Sequence, residues 1–409
     1  MLMKLGILTQ YYPPEIGAPQ ARLSQLARAF RAHGHEVHIL TAFPNYPTGK
    51  IYPGYHGFAR TEFYDGSPVY RSWIYPTKSV GLVRRLACYW SFTCSSAVVG
   101  AWRLPPCDYL LTESPPLFLG LTGWLLAALK HARWIFNVAD LWPSSAVQLG
   151  VLGQGIPLRI AEALERFCYR NAWLVTGQSR EILEQVRARH AGARTYLLSN
   201  GADPAFFTEE GRGPEPASRT SNPGEIKIVY AGLHGIAQGL DIVLKAAARL
   251  QAFPSLRFVL AGDGPEKEAL KAQAARLSLK NVKFLDPQPR HSIPALLRAA
   301  DIVLVPLKRT IDGAVPSKLY EAMAAGVPVV LASGGESADI VRRTRCGLTA
   351  KPGDADSLCG CIQRLACDAD LRAKLGSNGR KAASDQFNRD LIAAKFIEFL
   401  SECQVSKGQ

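Results

Sequence analysis

A short apolar run, a Pro/Gly loop, an amphipathic stretch and a second apolar run follow one another between Leu5 and Thr41. Residues 5–9 (LGILT) read as a strand and YYPPEIGAP as its loop. Leu23, Leu26, Ala27 and Phe30 then fall at helical spacing up to Gly34, and residues 37–41 read as the next strand. Two strands joined through a helix pair in parallel by a right-handed crossover. The unit recurs through 109–112, the helical stretch from Leu117, 134–138, the stretch 158–171, 173–176 and 196–198. Residues 1–203 are therefore expected to form a doubly wound α/β domain. Between Asp203 and Glu225 the pattern gives way to GRGPEPASRTSNPGE, which reads as a surface linker over 204–224. The pattern then restarts: strands at 226–231, 257–261, 282–285, 302–306 and 327–332, with a helix at 318–325, give a second α/β domain over 225–385. Within the tail, 386–409, residues 387–400 form an amphipathic helix with Leu391, Ala394, Phe396 and Ile397 on its apolar side.

At 409 residues and 47% hydrophobic, the chain can fill two cores. Its nine cysteines are odd in number and lack the paired C-x-x-C spacing of a zinc site, so reduced thiols in a cytoplasmic protein are expected. Residues 1–10 lead straight into Tyr-Tyr-Pro-Pro without a signal-peptide layout. The net charge is +14, and residues 1–200 hold 20 Lys+Arg against 11 Asp+Glu. That balance suits a phosphorylated ligand, an anionic membrane or nucleic acid. No basic run with interleaved aromatics is present, and nucleic acid is not expected. The apolar stretch 117–129 is too short to span a bilayer, which takes about 20 residues. Arg84 and Arg85 beside Tyr89, Trp90, Phe92 and Trp102 are either part of a core helix or, over 84–104, a face for a headgroup boundary.

Two α/β domains in series place ligands at the C-terminal ends of their strands. In the first domain, Glu15 and Gly17 sit in the loop after the first strand, where backbone N–H groups can meet a phosphate or a sugar. Gly17 also suits a tight turn, and Glu15 is placed to hold an acceptor hydroxyl. Asp140 follows the strand at 134–138 and can either cap a helix or orient and deprotonate a hydroxyl. In the second domain, Gly232, Gly235, Gln238 and Gly262 lie in turns after strands, where N–H groups can reach a diphosphate. His234, in the same turn, is either a ligand or, as is more usual for an unpaired histidine in a turn, merely exposed. Ser317, Lys318 and Glu321 open a helix; Lys318 and Glu321 either pair on its surface or divide the work on a nucleotide, ammonium to phosphate and carboxylate to ribose.

Taken together these segments resemble the family 4 glycosyltransferases of the GT-B fold, in particular the WbuB/WcaI-like transferases of O-antigen and exopolysaccharide assembly. The resemblance rests on YPPEIGA at 12–18, GHEV at 34–37, FPNYPTG at 43–49, SPPL at 114–117, DLWP at 140–143, SNG at 199–201, the Gly232–Gly239 loop and the 316–328 segment. It implies two Rossmann-like domains facing a cleft, with the last helix crossing back onto the first. It further implies a retaining transferase that takes a nucleoside diphosphate sugar, usually a UDP sugar, and uses no metal cofactor. The donor belongs to the second domain, with Glu321 on its ribose and Gly17 approaching its phosphates. The implied acceptor is a polyprenyl-diphosphate-linked sugar at the cytoplasmic face of the inner membrane. The chain departs from the family pattern at four places: Gly313 stands where a first glutamate is usual, Leu233 and Gln238 replace the Arg and Lys of the donor loop, and Ala139 replaces a histidine. Lys318 is then left to supply the positive charge, Asp140 the acceptor-side carboxylate. A GT-B sugar-nucleotide epimerase or phosphorylase, and a non-catalytic sugar-nucleotide-binding scaffold, are the competing classes.

Overall fold

The β-branched and leucine-rich runs of this chain are buried on both faces, as parallel strands covered by helices require. The computed structural model describes residues 2–78, 81–148, 150, 152–208 and 224–405. They divide into two units, Met1–Ser199 with Arg389–Gln409, and Asn200–Asn388.

The first unit runs β1 (Lys4–Thr9), α1 (Ala18–Ala32), β2 (Glu36–Ala42), β3 (Ala59–Tyr64), β4 (Ser67–Ser72), α2 (Leu82–Arg103), β5 (Tyr109–Ser114), α3 (Leu119–Leu129), β6 (Arg133–Val138), α4 (Ser144–Gln148), α5 (Ile156–Asn171), β7 (Leu174–Gly177), α6 (Arg180–Arg189) and β8 (Thr195–Leu197). Among the described residues these make an eight-stranded sheet in the order β3-β4-β2-β1-β5-β6-β7-β8. Ile7 stands opposite both Ile39 and Leu111, which fixes the register at the centre. The edge departs from the expected alternation: β3 and β4 form an antiparallel hairpin turning at Asp65 and Gly66, both at positive φ.

The second unit runs α7 (Pro204–Thr208), β9 (Ile226–Ala231), α8 (Leu240–Arg249), β10 (Leu256–Ala261), α9 (Lys267–Arg276), β11 (Val282–Leu285), α10 (Ile293–Arg298), β12 (Ile302–Pro306), α11 (Ser317–Ala325), β13 (Val329–Ala332), α12 (Gly335–Thr344), β14 (Gly347–Ala350), α13 (Ala355–Cys367) and α14 (Ala369–Asp385). Its six described strands are all parallel, in the order β11-β10-β9-β12-β13-β14. Both units are Rossmann-like α/β folds.

The junctions differ from the sequence reading. Asn200–Asp203 belong to the second unit, where Ala202 bridges to Asn388. Residues 204–208 of the expected linker form α7, whose Phe207 joins the second core, while 209–223 lie outside the described residues. The last helix, α15 (Arg389–Val405), packs in the first unit. There Phe396 meets Phe30 and Tyr196, the Tyr109 hydroxyl donates to the Leu400 carbonyl at 2.7 Å, and Arg133 Nη1 donates to the Cys403 carbonyl at 2.7 Å. Its buried face is Ala393, Phe396, Ile397, Leu400 and Cys403, whereas Leu391, expected on the apolar side, is 45% exposed. The helix is rotated from the expected face because α1 and the β1 side of the sheet, not residue hydropathy alone, choose what it buries.

Candidate active site

In the second unit the site grows from the end of β9. Gly232 follows Ala231 at φ +148°, and a Cβ there would fall 2.1 Å from Lys318 Cε and 2.6 Å from its Nζ. The conformation calls for glycine, and the flexible end of the lysine lies where a side chain would go. Gly262, after β10, is packed harder still: its Cβ would lie 1.9 Å from the Gly232 carbonyl oxygen at φ +144°. These two glycines make a floor on which the lysine lies. Lys318 is the second residue of α11, partly buried, with Nζ 5.5 Å from the centre of the Tyr230 ring. Among the described residues its ammonium has no hydrogen-bond or ion-pair partner; Glu321, one turn on, faces it only at longer range. Burial pushes the Lys318 ammonium below the ordinary lysine range, and the charge of Glu321 opposes that shift. Of the two readings of these residues, the surface pair does not form. Ser317 is the first residue of the same turn, partly buried.

His234 contradicts its expected exposure, being 0% exposed. Its ring sits against Tyr230 and Phe284, its N–H donates to the Asp263 carbonyl at 2.8 Å, and its own carbonyl accepts from Glu266 at 3.0 Å. Burial, then Lys267, push its imidazole below the usual range. Those two backbone bonds tie the loop after β9 to the loop after β10, and the buried ring packs against Tyr230 and Phe284. Beyond it, Gly235 and Gln238 close a 3₁₀ turn over Ile236–Gln238, with the Gln238 N–H donating to the Gly235 carbonyl at 3.2 Å. Gly239 (φ +60°) begins α8, and Lys308 packs beneath it, its N–H on the Ala237 carbonyl at 2.9 Å. A cleft of about 200 Å³ opens here, lined in part by Gly235, Gly239, Asp241, Glu266 and Lys308. Lys308, on the β12 side, is a cation that the sequence reading passed over. The cue was available, since it follows a strand end at Pro306.

In the first unit the candidate residues line the C-terminal edge of one sheet without touching. Glu15 is 2% exposed and fully engaged by backbone: Oε1 accepts from Asn45 and Tyr46 N–H, both at 2.8 Å, and Oε2 from Tyr12 N–H at 3.3 Å. Burial raises its carboxyl above the ordinary range, against those three bonds and the charge of Arg71. This carboxylate fastens loops, and three of its roughly four acceptor sites are taken by backbone N–H groups. Gly17 is the N-cap of α1 in extended backbone that any residue adopts, and a Cβ there would meet only the Gln20 side chain, at 2.4 Å. Asp140 follows β6, two strands from β1, and accepts from the Ser145 hydroxyl at 3.0 Å. It does not cap α4, whose first residue is Ser144. Burial raises its carboxyl above the ordinary aspartate range, opposed by Ser145 and the Leu141 N–H. A carboxylate made more basic at a strand end can take a hydroxyl proton.

Two family patterns divide the chain as the units do. Residues 17–201 match the glycosyl transferase 4-like domain, and residues 212–382 match the glycosyl transferases group 1. WcaI of Escherichia coli (strain K12), a glycosyl transferase named for colanic acid biosynthesis, is 30% identical over 80% of this chain and 83% of its own. The chain is a family 4 glycosyltransferase of the GT-B fold. Among solved structures, the transferase superposes on sucrose-phosphate synthase from Thermosynechococcus elongatus with a TM-score of 0.79 at 19% identity, covering 99% of this chain and 100% of the other. It superposes on Anabaena HepE, solved in complex with UDP-glucose, with a TM-score of 0.71 at 21% identity, covering 98% and 100%. At those identities the structures speak to the fold of the transferase. The relative and the two family patterns make it an enzyme.

Proposed function

We propose that this glycosyltransferase moves a sugar, with retention of anomeric configuration, from a UDP donor held by the second unit to a polyprenyl-diphosphate-linked sugar in cell-surface polysaccharide assembly. The supporting observation is Lys318. A partly buried ammonium in the first turn of a helix, without a hydrogen-bond or ion-pair partner among the described residues, faces both desolvation and the positive end of the helix dipole. An anion resolves both. The diphosphate is that anion: Lys318 and the N–H groups of Ser317 and Gly235 take its charge as it leaves, Glu321 accepts from the ribose hydroxyls, and Lys308 supplies the cation that Leu233 and Gln238 do not. On the acceptor side Asp140 orients the attacking hydroxyl and takes its proton. WcaI's assignment to colanic acid biosynthesis and HepE's complex with UDP-glucose favour this reading of substrate class. NMR of the product from a UDP-sugar panel and a polyprenyl-diphosphate-linked sugar tests it. Retained configuration, with turnover unchanged by EDTA, is expected; an inverted product overturns the mechanism.

The acceptor class places the enzyme at a membrane surface, and α2 offers the contact. Val83, Ala87, Trp90, Cys94, Val98 and Trp102 recur at intervals of three or four residues, and all are exposed. They form an apolar stripe along a helix about 33 Å long. Arg84, Arg85 and Arg103 flank it, Arg103 lying 4.6 Å from the Trp102 ring. No described helix is long and apolar enough to cross a membrane. This arrangement suits a helix lying in the interface of an anionic bilayer. Flotation with phosphatidylglycerol vesicles at low salt is expected, falling at least tenfold in Trp90→Ala/Trp102→Ala. Equal flotation of wild type and variant would remove α2 from the contact.

A further inference from the structure

The 43–49 segment, FPNYPTG, has no part in the donor chemistry, yet it is fastened more firmly than a surface loop needs. Besides the two bonds to Glu15, the Tyr52 hydroxyl donates to the Tyr46 carbonyl at 2.7 Å and the Tyr52 N–H to the Pro44 carbonyl at 2.9 Å. Asn45 Nδ2 donates to the Phe43 carbonyl at 2.9 Å, and the Gly49 N–H to the Asn45 carbonyl at 2.8 Å. Beneath them the fully buried Arg71 donates to the Pro13 and Ala42 carbonyls, tying the β1 loop to the end of β2. Glu15 then clamps the two loops together, since its oxygens take N–H groups from both.

What this clamp holds at the surface is an aromatic ring. Asn45 is buried, while Tyr46 beside it is 38% exposed, its ring edge-on to Tyr11 at 5.8 Å and 65°. Burying a carboxylate to fix a loop costs desolvation energy. What the clamp fixes is a ring that packs edge-on to Tyr11 and keeps over a third of its surface in solvent. A rigid amphipathic ring at the C-terminal edge of a parallel sheet is a ligand-facing device. Its chemistry matches the apolar C–H face of a pyranose.

We infer that Glu15 is a positioning residue that sets Tyr46, with Tyr11 behind it, as a stacking platform for a sugar ring of the acceptor. This rests on the acceptor reading above. Glu15, which holds Tyr46 by its N–H, follows β1, and Asp140 follows β6; in the order β1-β5-β6 those strands stand two spacings apart, about 10 Å. That exceeds one pyranose ring, so the platform holds a ring other than the one whose hydroxyl attacks at Asp140. The enzyme therefore selects an acceptor of at least two sugars.

Saturation-transfer NMR with methyl β-cellobioside, methyl β-lactoside and methyl β-maltoside, each beside its methyl monosaccharide, tests this on the full chain. At least one disaccharide is expected to show saturation on the C–H face of a ring, several times above its monosaccharide. The signal should survive Tyr46→Phe and fall at least fivefold in Tyr46→Ala. Glu15→Gln should lower it as well while speeding amide exchange at Asn45 and Tyr46, although the aromatic rings are intact. Equal saturation in wild type and Tyr46→Ala, or none from any disaccharide, overturns the platform. UDP stabilisation measured in the same samples separates the two readings: its absence beside intact, Tyr46-dependent glycoside binding would remove the nucleotide assignment and leave the platform standing.

Discussion

Lys318→Met is expected to abolish turnover and at the same time raise the melting temperature of the unliganded protein. The two effects have one cause. Burial lowers the ammonium's pKa in the folded state, so between that value and the ordinary lysine value the unfolded chain binds more protons and stability rises with pH. Below the window the full cost of carrying the charge is present. Methionine keeps the bulk against Gly232 and Tyr230 and removes that cost; a gain of order 1 kcal/mol corresponds to about 2–4 °C in a unit of this size. Loss of one group that stabilises departing negative charge lowers kcat on the order of 10²–10³-fold. In the wild type, kcat/KM should fall on the alkaline side at a pH below the ordinary lysine range. Calorimetry and steady-state kinetics on the same preparation check the pair of effects. A variant with lower stability, or one that keeps its turnover, would show that Lys318 serves the fold and not the donor.

The second large effect concerns the first unit. Arg22, on α1, pairs with Glu113 at the end of β5, both nearly inaccessible to solvent. Asn137 Nδ2 donates to Glu113 Oε2, the Thr176 hydroxyl donates to Asn137 Oδ1 at 2.7 Å, and the Gln178 amide oxygen, oriented by its partners, accepts from Arg22 Nε at 3.2 Å and Nη2 at 3.0 Å. One polar chain therefore links α1 to β5, β6 and β7 at their C-terminal ends. Arg22→Met leaves Glu113 buried without its cation, which costs about 3–5 kcal/mol. The melting temperature should drop by roughly 10 °C. Adding Glu113→Gln removes the stranded charge and should recover more than half of the loss. If the double variant is no more stable than the single one, packing and not charge pairing accounts for the effect.

The central parallel strands were legible because apolar runs and Pro/Gly loops alternate with little noise; β1, β2, β5 and β6 lie within one residue of the expected bounds except at the end of β5. The β3–β4 hairpin was not, although Asp65-Gly66 is a hairpin signal, because ARTEFY carries only one exposed-face alternation and reads as polar loop. Helices α12 to α14 lie in a stretch where no strong strand marks the period. Within the candidate site, the glycines at the ends of β9 and β10 were legible, since close approach is a property of the residue itself. Partners distant in sequence were invisible: N–H donors to Glu15 come from Asn45 and Tyr46, and part of the packing that buries His234 comes from Phe284. Carboxylate chemistry alone could not distinguish a group aimed at substrate from one spent on the backbone.

Nucleotide binding at α11 is the central claim, and thermal unfolding with a panel of nucleoside diphosphates tests it directly. Ligand at a hundredfold excess over its Kd stabilises the folded state by about 2.7 kcal/mol. UDP is expected to raise the melting temperature of the wild type by several degrees and to lose most of that effect in Glu321→Ala, whose own fold is intact because Glu321 has no hydrogen-bond partner among the described residues. No shift with any nucleoside diphosphate, or a shift that Glu321→Ala retains in full, would contradict the account.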